Sequence, residues 1–194
     1  MSDLKGYFTQ QDAVLENKLG ITDPAEMKRI EEDIVPLRIT EFISEMPEGR
    51  MDYAYLCMVH QRLFGDLYPM AGRTREVDIA KDGSAFCYVQ FIGDEQRRIF
   101  CHMEKRILLN RLGKPQLAIQ LAWLAAELNA LHPFREGNGR AIRTFMVVLA
   151  QRLGYRLDYS AVSEERRMQA DIDAFGGRMT DIEQVYFEML EPME

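Results

Sequence analysis

Apolar side chains return every three to four residues along most of this chain, and that period belongs to helices. Between Pro24 and Phe42 they fall at Met27, Ile30, Ile34, Leu37 and Ile39. Asp23 stands where an N-cap is needed and Pro24 where a missing N–H costs nothing, so a helix is predicted there. Pro36 lies inside the run and is expected to kink or split it. MPEGRMD breaks the pattern. A second helix is predicted from about Asp52, with Tyr55, Val59, Leu63 and Phe64 on its apolar side, and LYPMAG ends it. Further on, Ile99, Met103 and Ile107 predict a helix over 94–111. Pro115 opens one striped by Leu117, Leu121, Leu124, Leu128 and Leu131. Ile142, Phe145, Met146, Leu149 and Leu153 mark another, closed by Gly154 as a C-cap signal. Weaker helical patterns occupy 160–174 and 180–190.

The segment TREVDIAKDGSAFCYVQFI reads differently. Val77 and Ile79 alternate with Asp78 and Ala80, then Ala85, Cys87 and Val89 interleave with Phe86, Tyr88 and Gln90. KDGS between them is a turn signal, so a hairpin is predicted at about 75–91. Two strands alone are marginal in water, so this one must lean on something or move. The expected architecture is all-α: a helical segment over 1–50 and a helical core over 51–194 carrying the hairpin, compact as one domain.

Composition narrows the function classes without choosing one. The chain has 194 residues, 47% hydrophobic and 28% charged, with net charge -7, ordinary for a soluble domain. A pI near 5.1 argues against a direct nucleic-acid binder. No apolar run approaches the roughly 20 residues a bilayer requires, and the start carries no export signal, so neither membrane nor secretion is expected. Cys57, Cys87 and Cys101 lack paired spacing and read as reduced, mostly buried thiols of a cytoplasmic protein.

The chemistry concentrates in HPFREGNGRAIR, residues 132–143, between two apolar helices. Pro133 disfavours helix at His132, which therefore sits at a helix end. Gly137 and Gly139 around Asn138 suit backbone shapes other residues resist, and a helix starts at once. Unpaired N–H groups and the positive dipole end at such a start form an anion site. Arg140 and Arg143, three apart, share a face and suit a polyphosphate. Glu136 beside an anion site is accounted for by Mg²⁺, held by one carboxylate and substrate phosphates. A histidine, with ordinary pKa near 6.5, can act as general base there. The plainer alternatives are a structural histidine and an ordinary turn. The glycines match neither the dinucleotide fingerprint nor the P-loop, and Pro133 and Gly137 spoil a helical metal pair of His132 with Glu136.

These residues closely resemble the signature of Fic-domain proteins, His-Pro-Phe-x-[Asp/Glu]-Gly-Asn-Gly-Arg-x-x-Arg. Every specified position is met, by His132, Pro133, Phe134, Glu136, Gly137, Asn138, Gly139, Arg140 and Arg143. The resemblance extends to LFGDLYPMAGRTREVDI and the hairpin, similar to that family's flap. It implies AMP transfer from ATP to a Ser, Thr or Tyr hydroxyl of a target protein, or of the chain itself. His132 would take the hydroxyl proton and Glu136 would hold Mg²⁺. Asn138 and the amides around Gly137 and Gly139 would bind the α-phosphate region, with Arg140 and Arg143 on the outer phosphates. Phe134 would seat the loop, with Arg135 in the same nucleotide-binding stretch. Lys81 and Asp82 at the flap tip would lie near the nucleotide, Met168 at the adenine, and Phe86 would clamp the target, which pairs with the flap edge.

Many Fic proteins are silenced by [Ser/Thr]-x-x-x-Glu-[Gly/Asn], whose glutamate meets the second motif arginine. SEMPEG supplies Ser44, Glu48 and Gly49 in that pattern, but Pro47 and Gly49 break helices and the segment reads as a loop. Inhibition by Glu48, by a separate small antitoxin, or none, all stay open. So do two other functions: transfer of another phosphate-containing group, such as phosphocholine or phosphate, and an idle module that binds a partner strand.

Overall fold

The structure is a computed structural model and describes residues 14–81 and 84–193. Among these residues it is mainly helical. The first helix, α1 (Pro24–Glu45), has the expected Asp23 N-cap, whose carboxylate accepts from the Ala25 N–H at 2.9 Å. It runs through Pro36 without splitting. Pro36 is exposed, so the carbonyl that its ring deprives of a partner faces water, where it costs least. Met27, Val35 and Phe42 are buried and Ile30, Ile34 and Ile39 pack against the core, whereas Leu37, expected on the same face, is exposed.

After the loop comes α2 (Tyr53–Phe64), capped by Asp52. The hairpin is shorter than predicted. Its strands are β1 (Ala80–Lys81) and β2 (Ser84–Ala85), paired antiparallel with Ala80 opposite Ala85. What read as the rest of the second strand is the start of α3 (Val89–Met103), five residues ahead of its expected beginning. The cause is a cap from outside the helix: the Asp78 carboxylate accepts from the Val89 N–H at 2.8 Å, and Ile92, Ile99 and Met103 then bury on one face. α3 loosens into a π-helical turn at Glu104–Leu108.

Helix α4 (Lys114–Leu131) and helix α5 (Asn138–Arg152) form the centre. Leu121, Leu124 and Leu128 of α4 and Phe145, Met146 and Leu149 of α5 are fully buried. α1 and α2 pack on α5, and α3 packs on α4. Beyond Gly154, in the left-handed conformation expected of a C-cap glycine, come β3 (Tyr155–Leu157), α6 (Glu164–Phe175), α7 (Thr180–Met189) and β4 (Leu190–Pro192). α7 covers α4 and α6 covers α7. The β3–β4 pairing, with Arg156 opposite Glu191, was not foreseen, because three-residue strands carry too little alternation to read. The thiols also differ from expectation: all are free, but Cys57 and Cys87 are half-buried and Cys101 is exposed.

The hairpin does lean on something. The Cys87 N–H donates to the Ala130 carbonyl of α4 at 3.0 Å and the Phe86 N–H to Ile79 at 3.2 Å. Asp78→Ala should remove the outside cap of α3 and cost about 1 kcal/mol, the usual value of a cap. Denaturant unfolding, with hydrogen exchange at Val89 rising selectively, measures it.

Candidate active site

Leu131 ends α4, and His132 takes the left-handed conformation (φ 45°) with its N–H on the Leu128 carbonyl at 3.0 Å. This non-glycine strain is held in place by a buried cation. Arg75, 2% exposed, donates from Nε to the His132 carbonyl at 2.8 Å and from Nη1 to Val77 at 2.7 Å. Its Nη2 reaches the Cys87 carbonyl and Leu131, and its backbone N–H meets the Pro133 carbonyl at 2.8 Å. Burial lowers the guanidinium below its ordinary value, and the end of α4, with its partial negative charge, is a suitable place to hold it. One side chain thus joins helix end, motif loop and flap.

The loop is closed from within. Asn138, 3% exposed, accepts from the Phe134 N–H at 2.9 Å and donates to the Phe134 carbonyl at 2.7 Å. The Asn138 amide side chain thus closes the loop, while its backbone N–H stands in the first turn of α5. Phe134 is fully buried and stacks on His60, centroids 4.0 Å apart. His60 accepts at Nδ1 from the Gly72 N–H at 2.9 Å. Its Nε2 therefore carries the hydrogen and donates to the Glu136 carbonyl at 2.8 Å. Burial pushes this imidazole down to about 4. Gly137 sits at φ 75°, and a Cβ there would lie 2.5 Å from the Phe64 ring, so the turn admits only glycine.

From this turn α5 starts. The first intrahelical bond runs from the Ala141 N–H to the Gly137 carbonyl at 3.0 Å, leaving the N–H groups of Asn138, Gly139 and Arg140 ahead of the ladder. Glu136 stands at the mouth, its side chain 52% exposed. One of its oxygens accepts from the Gly137 N–H at 2.9 Å.

The His132 ring is half-buried. Its Nδ1 lies 3.2 Å from the Asn129 carbonyl. A carbonyl can only accept, so Nδ1 bears the hydrogen. Phe86 stacks on the ring at 3.8 Å and 18° and meets Phe175 edge-on. The two motif arginines diverge rather than clamp together. Arg140 turns to α1, donating to Glu31 at 2.6 Å, and lies over the Phe64 ring. Arg143 turns to α6. There it borders a cavity of about 60 Å³ with Gly139, Tyr159 and Asp171, and a wider one of about 340 Å³ with Glu164, Arg167 and Met168. Burial raises the Asp171 carboxyl, and Arg143 and Arg167 oppose the shift.

Residues 50–150 match the Fic/DOC family. The chain is 35% identical to the probable protein adenylyltransferase y4lH of Sinorhizobium fredii, over 87% of each chain. This chain belongs to the Fic/DOC family. It is also 35% identical to the protein adenylyltransferase VbhT of Bartonella schoenbuchensis, over 88% of its own length but 36% of that protein's. Among solved Fic folds, BepC of Bartonella tribocorum with bound AMPPNP superposes with TM-score 0.86 at 26% identity, covering 97% of both chains. A Bartonella quintana Fic domain with bound ADP superposes with TM-score 0.88 at 27% identity, over 97% of this chain and 95% of that one.

Several expectations for a Fic site can now be placed. Phe86 reaches the site but lies on His132. Lys81 ends β1, and Asp82 lies outside the described residues. Met168 is 59% exposed and borders the wider cavity. Arg135 is half-buried beside the loop. The inhibitory reading of Ser44 and Glu48 is corrected. Arg152, the last residue of α5, donates to the Pro47 and Gly49 carbonyls at 2.5 and 2.6 Å. That holds the segment at the end of α5 away from Arg143, nine residues or roughly 13 Å along the axis, with Glu48 exposed. Arg75, His60 and Glu31 were missed. No local pattern marks a buried arginine or histidine whose partners are distant carbonyls.

His60 gives a pH prediction. Its folded value near 4 lies below the ordinary 6.5, so the unfolded chain binds the proton first. Stability is full above 6.5 and falls as pH drops towards 4, by about 3 kcal/mol for 2.5 units. His60→Gln, which retains a donor for the Glu136 carbonyl, should flatten that part of the melting-temperature profile between pH 7 and 4.

Proposed function

We propose that this chain transfers AMP from ATP to a hydroxyl of a target protein. The observation that carries the reading is that one short loop holds His132 at the end of α4, the exposed Glu136, and the N–H groups that begin α5. Two relatives at 35% identity bear the adenylyltransferase name, and two superposable Fic structures hold adenine nucleotides.

ATP would bring its phosphates to the N–H groups of Asn138, Gly139 and Arg140, where backbone dipoles favour an anion without rearrangement. Arg140 and Arg143 flank that point and would meet the outer phosphates from two sides. Met168 and the wider cavity would take the adenine, and Lys81, at the end of β1, would lie near the nucleotide. The target segment would add to the hairpin edge, since β1 and β2 form a two-stranded sheet, and that would present its hydroxyl near Phe86.

Nε2 of His132 would accept the hydroxyl proton as the oxygen attacks the α-phosphorus. The new bond joins the target oxygen to that phosphorus, the bond to the β-phosphate oxygen breaks, and pyrophosphate leaves. Mg²⁺ commonly takes one carboxylate and phosphate oxygens, so a single carboxylate suffices for a cation that arrives with the nucleotide. Glu136, exposed and with one oxygen already on the Gly137 N–H, would hold it. Bound there, Mg²⁺ would neutralise charge on the phosphates.

With Glu48 held far from Arg143, any restraint on this Fic chain is read as the work of a separate small antitoxin. The reaction is placed in the cytoplasm, where ATP and free thiols such as Cys57, Cys87 and Cys101 occur together. No helix among the described residues is long and apolar enough to cross a membrane.

Incubation with α-labelled ATP and Mg²⁺, with the chain alone and in lysate, tests the reading. Wild type should label protein. His132→Ala should lower labelling by a factor of about 10² to 10⁴, the usual contribution of a general base. Equal labelling by both, or labelling from CDP-choline instead of ATP, would contradict it.

A further inference from the structure

Glu31, on α1, sits far upstream of the motif yet touches its first arginine. One Glu31 oxygen (Oε2) accepts from Arg140 Nη1 at 2.6 Å, and the other (Oε1) accepts from the Tyr68 hydroxyl. The Glu31 side chain is 15% exposed and Tyr68 is buried. On its other edge, Arg140 Nη2 is 3.7 Å from Glu136 Oε1. The guanidinium therefore lies between two carboxylates, one dry and close, the other wet and distant. Attraction between opposite charges grows as separation and local dielectric fall, so the buried acid holds the arginine.

That choice matters for the open acid. A guanidinium has five donors in a fixed fork and would readily take both carboxylate oxygens of Glu136. Such a pair would cover the oxygen that the Gly137 N–H leaves open. Tyr68 keeps Glu31 in the orientation that prevents this. Burial and the neighbouring Glu31 push the Tyr68 hydroxyl well above its ordinary pKa, so it stays a donor. The Phe64 face beneath the guanidinium fixes its plane.

We propose that Glu31 is a positioning residue that restrains Arg140 from closing on Glu136, and so keeps Glu136 available to a divalent cation and Arg140 aimed at the nucleotide phosphates. The inference rests on the reading of Glu136 as cation ligand given above. It assigns α1 a part in the chemistry, although the helix carries no motif residue.

The test is direct binding of Mn²⁺, followed by its electron paramagnetic resonance signal, to the intact chain with a non-hydrolysable ATP analogue. Glu31→Gln keeps the shape of the side chain and removes its charge. It should weaken Mn²⁺ about tenfold or more, as loss of an outer partner of a metal ligand commonly does. Tyr68→Phe should weaken it less, in the same direction. In AMP transfer the half-saturating Mg²⁺ should rise, with the rate recovering at saturating Mg²⁺. In an Arg140→Gln background, Glu31→Gln should leave Mn²⁺ binding unchanged, because nothing remains to close on Glu136; a generally loosened helix would lose binding in both backgrounds. Wild-type Mn²⁺ binding by Glu31→Gln or by Tyr68→Phe, a loss that persists without Arg140, or a faster reaction at all Mg²⁺ concentrations would overturn the proposal. Glu136→Gln separates the two readings. If it abolishes Mn²⁺ binding while Glu31→Gln does not weaken it, the positioning role alone fails. If it binds Mn²⁺ as wild type does, the cation reading fails with it.

Discussion

A single buried guanidinium sets the geometry on which everything else depends. Arg75 is held by carbonyls of Val77, Cys87, Leu131 and His132. A charge removed from water is expensive unless its donors are satisfied, and these carbonyls satisfy them only if the end of α4 and the base of the flap lie where they do. The requirement works in both directions. The carbonyls at the end of a helix need donors, and Arg75 provides them while His132 leaves the helical path. An uncharged residue in its place would leave several buried carbonyls without partners, at about 1–3 kcal/mol for each such group.

Once that end is fixed, the motif loop follows by local closure. Asn138 closes the turn on Phe134, His60 supports it through the Glu136 carbonyl, and Phe64 leaves no room for a side chain at Gly137. The backbone dipoles at the start of α5 are thus aimed before any nucleotide arrives, and preorganised dipoles need no reorganisation when charge appears. The charges around them are shared out. Glu31 holds Arg140, Asp171 and Arg167 accompany Arg143, and Glu136 keeps an open oxygen.

Much of this was legible in the sequence because its strongest signals are periodic or spaced. The leucine stripe of α4 and the Gly-Asn-Gly before α5 each pointed to the correct element, and Asp23 and Asp52 marked helix starts. The misses share one cause: they depend on partners remote in the chain. α3 begins early because Asp78 caps it from the other side of the hairpin. The ring of Phe86 rests on His132, a contact between flap and motif loop that the sequence does not reveal. The Asn138 side chain closes the loop on Phe134 through contacts that residue type alone does not reveal. SEMPEG matched an inhibitory pattern that residue types alone cannot refute; only Arg152, holding Pro47 and Gly49 at the far end of α5, places it away from Arg143.

The central claim is that the loop from Leu131 to Arg140 has its nucleotide-binding shape before the nucleotide binds. Crystal structures of the chain without ligand and with Mg²⁺ and a non-hydrolysable ATP analogue test this most directly. The backbone of that loop should agree within about 1 Å between the two, the range of preorganised sites, with phosphate oxygens on the N–H groups of Asn138, Gly139 and Arg140. A loop that refolds on binding, or phosphates seated away from those N–H groups, would contradict the account.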